Sequence, residues 1–148
     1  MTPYADTEFG DDYFENILNT AAWDSETDDD IKTKALKEAT IWIDGLNFKG
    51  QKADATQENQ FPRGTDTEVP AAIKEACCDM ALALLDGMDV ELEVNDRRLV
   101  STGYSAVRGT YNTGIVNEHV AAGIPSYRAW RKLLPYLRTA TAIRISRV

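Results

Sequence analysis

Between two helix-boundary signals, Pro70 and Gly87, the residues Ile73, Ala76, Cys77, Met80, Ala81, Leu84 and Leu85 recur at three- and four-residue intervals. That spacing puts them on one side of a helix. Proline is welcome in a first helical turn, where the N–H it lacks would have no partner, and glycine suits the residue that follows a helix. No other stretch of the chain is as apolar, so a helix at the centre of the core is predicted here, with the other elements arranged to cover it. A chain of 148 residues, 43% of them hydrophobic, suits one such core in one globular domain.

The covering elements can be read from the same periodicity. Phe9, Tyr13, Phe14 and Ile17 share a stripe, with Glu8, Asp11, Asp12 and Glu15 on the wet side, which predicts a helix from about Thr7 to Leu18. Ser25 and Thr27 each precede an aspartate by three residues, Asp28 and Asp30, in a capping-box-like pattern. Ile31, Ala35, Ala39, Trp42, Ile43 and Leu46 follow, predicting a long amphipathic helix that closes near Gly45. From Asn47 to Glu68 the periodicity disappears among Gly, Gln, Asn, Asp, Thr and Pro, an extended loop pinned by Phe48 and Phe61. Between Asp89 and Asn112, alternation of Val90, Leu92 and Val94 with Glu91 and Glu93, then a Ser/Thr/Gly-flanked run through Tyr104 and Arg108, predicts one or two short strands. Residues 113–124 read as irregular, and after Pro125 a last helix carries Tyr127, Trp130, Leu134 and Leu137 on one face until Pro135 ends or kinks it. The fold class expected is mainly α: a small bundle of about four helices with a long central loop, one or two short β-strands and an extended C-terminal arm.

Chemistry is hard to find. Cys77 and Cys78 are adjacent, and neighbouring cysteines in a helix point apart, so they read as small apolar residues rather than a disulfide. His119 is the single histidine, with no cysteine pair to complete a tetrahedral site, and the acidic run Asp24–Asp30 lacks the glycine and the bidentate glutamate of a calcium loop. No nucleophile motif or glycine-rich phosphate cradle occurs. No catalytic residue, metal or cofactor is expected. The longest apolar run, Met80–Leu85, is far shorter than the roughly 20 residues that span a bilayer. The acidic start lacks the basic residues of a signal peptide, so a soluble protein made in the cytoplasm is expected.

Charge is unevenly placed. Residues 1–30 hold ten acids (Asp6, Glu8, Asp11, Asp12, Glu15, Asp24, Glu26, Asp28, Asp29, Asp30) and no lysine or arginine, while Arg128–Val148 holds six basic residues and no acid. The net charge of −8 argues against a grip on nucleic acid by phosphate neutralisation. The segment Tyr127–Arg138 nevertheless interleaves aromatics with arginines, as single-strand binders do, although its spacing favours aromatics facing the core and arginines facing solvent or a partner. The tail through Ile143, Ile145 and Val148 suits either a frayed end or a strand added to a partner's sheet.

Read in order, several segments resemble one family: Tyr4-Ala5-Asp6 leading to Tyr13-Phe14, Ala22-Trp23-Asp24, Ala39–Leu46 with Phe48-Lys49-Gly50, Phe61-Pro62-Arg63, and Val69-Pro70 with Ile73-Lys74-Glu75-Ala76 and Ala81–Leu85. The family is that of tailed-phage head-tail connectors (adaptors), which takes in a group of DnaT-like single-stranded-DNA-binding proteins. The likeness continues through Tyr104–Tyr111 and Pro125–Leu137, and departs in a longer stretch from Asn112 to Gly123. It implies a structural, non-enzymatic head-completion subunit, made in the host cytoplasm and placed at the head-tail interface of the virion. Its partners would be further copies in a dodecameric ring, the portal protein and a tail or nozzle protein, with DNA passing transiently and no membrane. Residues 1–138 would form the connector domain and 139–148 a docking arm. Thr141, Ile143, Arg144, Ile145, Arg147 and Val148 would meet the portal, and Phe48, Phe61, Arg63, Tyr104, Arg108 and Tyr111 would make subunit or tail contacts. The competing expectation is a single-stranded-DNA-binding protein of phage DNA metabolism, suggested by Trp130 and the arginines around it.

Overall fold

The computed structural model describes residues 1–90 and 118–138 and, by backbone alone, the strand residues 101–104 and 107–110. Among these it is mainly α, as the periodicities predict. Helices α1 (Thr7–Phe14), α2 (Ala21–Asp24), α3 (Asp29–Asp44), α4 (Ala71–Leu85), α5 (Glu118–Ala121) and α6 (Tyr127–Leu133) are joined by one antiparallel hairpin of β1 (Ser101–Tyr104) and β2 (Val107–Thr110). In the hairpin Ser101 pairs with Thr110 and Tyr104 with Val107. Helices α2 and α5 are four residues each, too short to leave a periodic signature, which is why about four helices are expected from the sequence and these six stand among the described residues. Helix α5 also corrects the reading of 113–124 as irregular. No helix among the described residues is long and apolar enough to cross a membrane.

Helix α4 is the centre. Ile73 and every residue from Ala76 to Ala81 are buried, so it is enclosed on all sides rather than along one stripe. Helices α3 and α6 pack on it most extensively, with α1 and α2 completing the cover. Cys77 and Cys78 are unpaired and buried there, and burial pushes the Cys77 thiol up to about 11, which keeps it protonated and inert.

Capping explains where helices begin. Asp6 accepts from the Phe9 N–H at 2.8 Å to start α1, and Asp28 accepts from the Asp30 N–H at 2.9 Å to start α3. The cap of α3 is therefore Asp28 and not Ser25 or Thr27, because Ser25 already closes α2. Helix α1 stops at Phe14, earlier than Leu18, as the chain turns through Asn19 at φ 63°. Gly10 is where α1 meets Trp23 most closely: a Cβ there would lie 2.5 Å from the indole. Pro70 sits one position before the first helical residue of α4. Val90, read as the start of a strand, is helical and buried, and residues 91–100 lie outside the described residues.

No helix forms between Asp44 and Ala71, yet the segment is tied down. Phe48 and Phe61 are both buried, with ring centroids 4.8 Å apart, and Phe61 also meets Tyr4 at 5.9 Å and Tyr136 at 5.6 Å. Each such ring stabilises the fold by about 1.5–3 kcal/mol through burial. Arg63 closes the loop by donating to the carbonyls of Lys49, Gly50 and Gln60.

Candidate nucleic-acid interface

The sharpest local construction is the turn between α5 and α6. After Ala121 the chain reverses through Gly123 at φ +81°, where the Gly123 N–H donates to the Val120 carbonyl and the Ile124 N–H to the His119 carbonyl at 2.8 Å. This paired closure is the one that favours glycine, whose missing side chain tolerates the left-handed backbone. A Cβ at Gly123 would also stand 3.0 Å from the Trp42 ring of α3, so the turn sits close against that helix. Ile124 then enters the core, Pro125 follows, and the Ser126 hydroxyl accepts from the Ala129 N–H to open α6.

The two short helices hold an open cleft of about 670 Å3 lined by Glu118, His119, Tyr127, Trp130 and Leu134. The His119 and Tyr127 rings are 5.4 Å apart and the His119 and Trp130 rings 6.5 Å. Trp130 is only 6% exposed and forms the floor, whereas Tyr127 is 60% and Leu134 44% exposed. His119 is held by a 2.8 Å hydrogen bond between Nδ1 and the Ile124 carbonyl. The carbonyl can only accept, so Nδ1 carries the proton and Nε2 is left as the second ring nitrogen.

The expected apolar face of α6, through Tyr127, Trp130, Leu134 and Leu137, is corrected in part. The buried residues are Ala129, Trp130, Leu133 and Leu137. The chain leaves the α-helix after Leu133 for a 3-10 turn over Leu134–Tyr136, with Pro135 inside it, so the stripe rotates and Leu134 turns outward. Tyr127, Arg131 and Leu134 thus share an exposed line at helical spacing.

The cations of α6 divide sharply. Lys132 donates to the carboxylates of Asp79 at 2.8 Å and Glu75 at 3.1 Å and to the Tyr13 hydroxyl. Tyr13 in turn donates to Asp79 at 3.1 Å, and Arg128 reaches Asp79 at 3.5 Å. The Asp79 side chain is 1% exposed, and burial pushes its carboxyl up against the pull of these partners. Burial alone would lower the Lys132 ammonium, but the hydrogen bonds to Asp79, Tyr13 and Glu75 outweigh it and hold the group above its ordinary range. This network ties α1, α4 and α6 together. Arg131 is exposed and makes no ion pair among the described residues. Further along, Lys49 and Arg138, also exposed, come together because the Lys49 N–H donates to the Tyr136 carbonyl and the Arg138 N–H to the Asn47 carbonyl.

The residues singled out from the sequence fall elsewhere. Phe48 and Phe61 are core residues of the chain itself, and the Arg63 guanidinium is occupied by loop carbonyls, which gives all three an internal role. Tyr104 and Arg108 stand in the hairpin, described by backbone only. Tyr111 and the arm residues Thr141, Ile143, Arg144, Ile145, Arg147 and Val148 lie outside the described residues. Some acids of the first thirty residues act within the chain: Asp6 and Asp28 cap helices, and Asp11 accepts from Lys32 and from the Trp23 indole, with the Lys32 hydrogen bond holding its carboxyl below the usual range. No metal-binding group of side chains occurs among the described residues. His119 is the functional candidate that sequence reasoning set aside; its signal lay in the Gly123 and Pro125 that fold the chain back onto it.

A family model described as "Putative DnaT-like ssDNA binding protein" matches residues 2–148. No curated protein and no solved structure matches. The match overturns the head-tail connector expected above, since the description names strand binding and not a portal-bound ring subunit. That expectation rested on the order and spacing of short segments, which mark a family without fixing its activity.

Proposed function

The chain belongs to the DnaT-like family matched over residues 2–148, and on that premise we propose that it binds single-stranded DNA on the α5–α6 face. The observation that carries the reading is one exposed line on α6 where Tyr127, 60% exposed, stands one turn before the unpaired Arg131 and beside an aromatic-floored cleft. Every unpaired base has a π-face, so an exposed ring offers sequence-tolerant stacking, and a neighbouring guanidinium neutralises the phosphate between stacked bases. A duplex, whose bases are already stacked, gains nothing from such a ring. Arg138 and Lys49 extend the cationic path beyond Leu134.

Fluorescence anisotropy of a labelled single strand, titrated with protein at several salt concentrations, tests the reading. Binding should weaken with salt by a log–log slope of about −0.7 per phosphate contacted. Arg131→Ala should reduce the magnitude of that slope by roughly the same increment. Absence of binding at low salt, or equal affinity for a duplex of the same sequence, would overturn it.

A further inference from the structure

The donor and acceptor inventory of the α5–α6 cleft is lopsided. Five residues line it: Glu118, His119, Tyr127, Trp130 and Leu134. None is a cation or an amide. Glu118 is exposed, and its carboxylate can only accept. His119 has its Nδ1–H committed to the Ile124 carbonyl at 2.8 Å, so neutral His119 presents its remaining nitrogen, Nε2, as an acceptor. The Tyr127 hydroxyl can serve either way. The Trp130 indole N–H is the one fixed donor, so the charged group of the cleft is an acceptor, and a base edge that faces Glu118 must bring donors.

We infer that this cleft takes one unpaired guanine base, stacked against Tyr127 with its N1–H and N2–H2 directed at the Glu118 carboxylate. The inference rests on the strand-binding reading and adds a base preference to it. Guanine is the base whose pairing edge carries two adjacent donors, the match for the two oxygens of one carboxylate. Adenine and cytosine each bring a single exocyclic amine. Thymine sets its one N–H between two carbonyl oxygens, which would be driven against the acceptors of the cleft. The negative charge of Glu118 also bears on strand direction: it repels phosphate, so the backbone passes on the Arg131 side of Tyr127 while the base turns toward α5. A cleft of about 670 Å3 lies within the range of about 300–1,000 Å3 usual for small-ligand sites.

The test compares two labelled strands of about a dozen nucleotides, within the length single-strand modules occupy. One is all thymidine and the other carries one central guanine; anisotropy is read for the full chain. The guanine strand should bind roughly tenfold more tightly, as expected for a good bidentate base contact. Inosine at the same position lacks the N2 amine and should lose most of that gain with the protein unaltered. Glu118→Gln, which replaces one acceptor oxygen by a donor, should also lose most of the preference while still binding the thymidine strand. Equal binding of both strands by the wild-type chain, or a preference that survives in both the inosine strand and Glu118→Gln, would overturn the guanine assignment and leave strand binding intact. Failure of every strand to bind at low salt would remove the strand-binding reading and this inference with it.

Discussion

Arg131 and Lys132 are neighbours on one helix and carry the same charge, yet they belong to different parts of the molecule. Lys132 turns toward α4 and meets Asp79, Glu75 and Tyr13, so its charge is matched inside the fold. Arg131, about 100° further round the helix, stands on the exposed line with Tyr127 and Leu134. A buried ion pair is costly to break because the surviving charge is left in a poor solvent, whereas an exposed cation is nearly neutral for stability and available to a ligand. The pair separates what holds α6 in place from what α6 can offer, a distinction that counting basic residues cannot make.

The sharpest way to break this contrast is Lys132→Met. It leaves the Asp79 carboxylate, 1% exposed, with only the Tyr13 hydroxyl and Arg128 at 3.5 Å. A loss of about 3 kcal/mol in urea unfolding is expected, the low end for a broken buried pair because these two partners remain. Arg131→Ala should stay within about 0.5 kcal/mol of the wild type. The contrast fails if the two substitutions cost the same, or if folded Lys132→Met has lost strand affinity.

Next in size is Tyr127→Ala. With Tyr127 60% exposed, little packing is lost, and stacking of one base contributes about 1–3 kcal/mol, so strand affinity should fall tenfold or more at unchanged stability. Trp130 gives the opposite outcome: truncating it to alanine removes a ring that is 6% exposed and should cost about 3–5 kcal/mol in folding. An exposed ring that proved essential for folding, or a buried one that proved dispensable, would reverse the assignment of floor and platform.

How much of this the sequence reveals depends on the length of the element. Helices α3 and α4 run sixteen and fifteen residues, long enough for periodicity to fix their type and nearly their ends, and Phe48 and Phe61 stand out as aromatic anchors in a polar stretch. Helix α5, at four residues, contains about one turn and has no period to read. The face of α6 is misjudged for a related reason: Tyr127, Trp130, Leu134 and Leu137 fit a continuous helix, but the 3-10 turn at Pro135 changes the angle per residue and brings Leu137 inward while Leu134 turns out. The pairing of Lys132 with Asp79 joins helices that are 53 residues apart, and no local pattern encodes it.

The smallest expected effect concerns pH and bears on the same two residues. The hydrogen bonds of Lys132 hold its pKa in the folded chain above the ordinary lysine value, so the folded state keeps that proton more tightly than the unfolded chain does. Its contribution to stability is then fully present below the unfolded value of about 10.4 and is lost as pH rises through the folded value. The buried phenols Tyr4 and Tyr13, also raised by burial, lose stability in the same alkaline direction, so a single unfolding curve would mix the three. Tyr4 does not touch Lys132 and cancels in the difference between wild type and Lys132→Met, whereas the Tyr13 hydroxyl accepts from Lys132, so both chains are compared in a Tyr13→Phe background. That difference should be constant from neutral pH to about 10 and narrow above it, whereas the difference between wild type and Arg131→Ala should stay near zero throughout. A wild-type to Lys132→Met gap that stayed flat well into the alkaline range would mean that packing of the lysine stem, and not its charge on Asp79, holds α6 against α4.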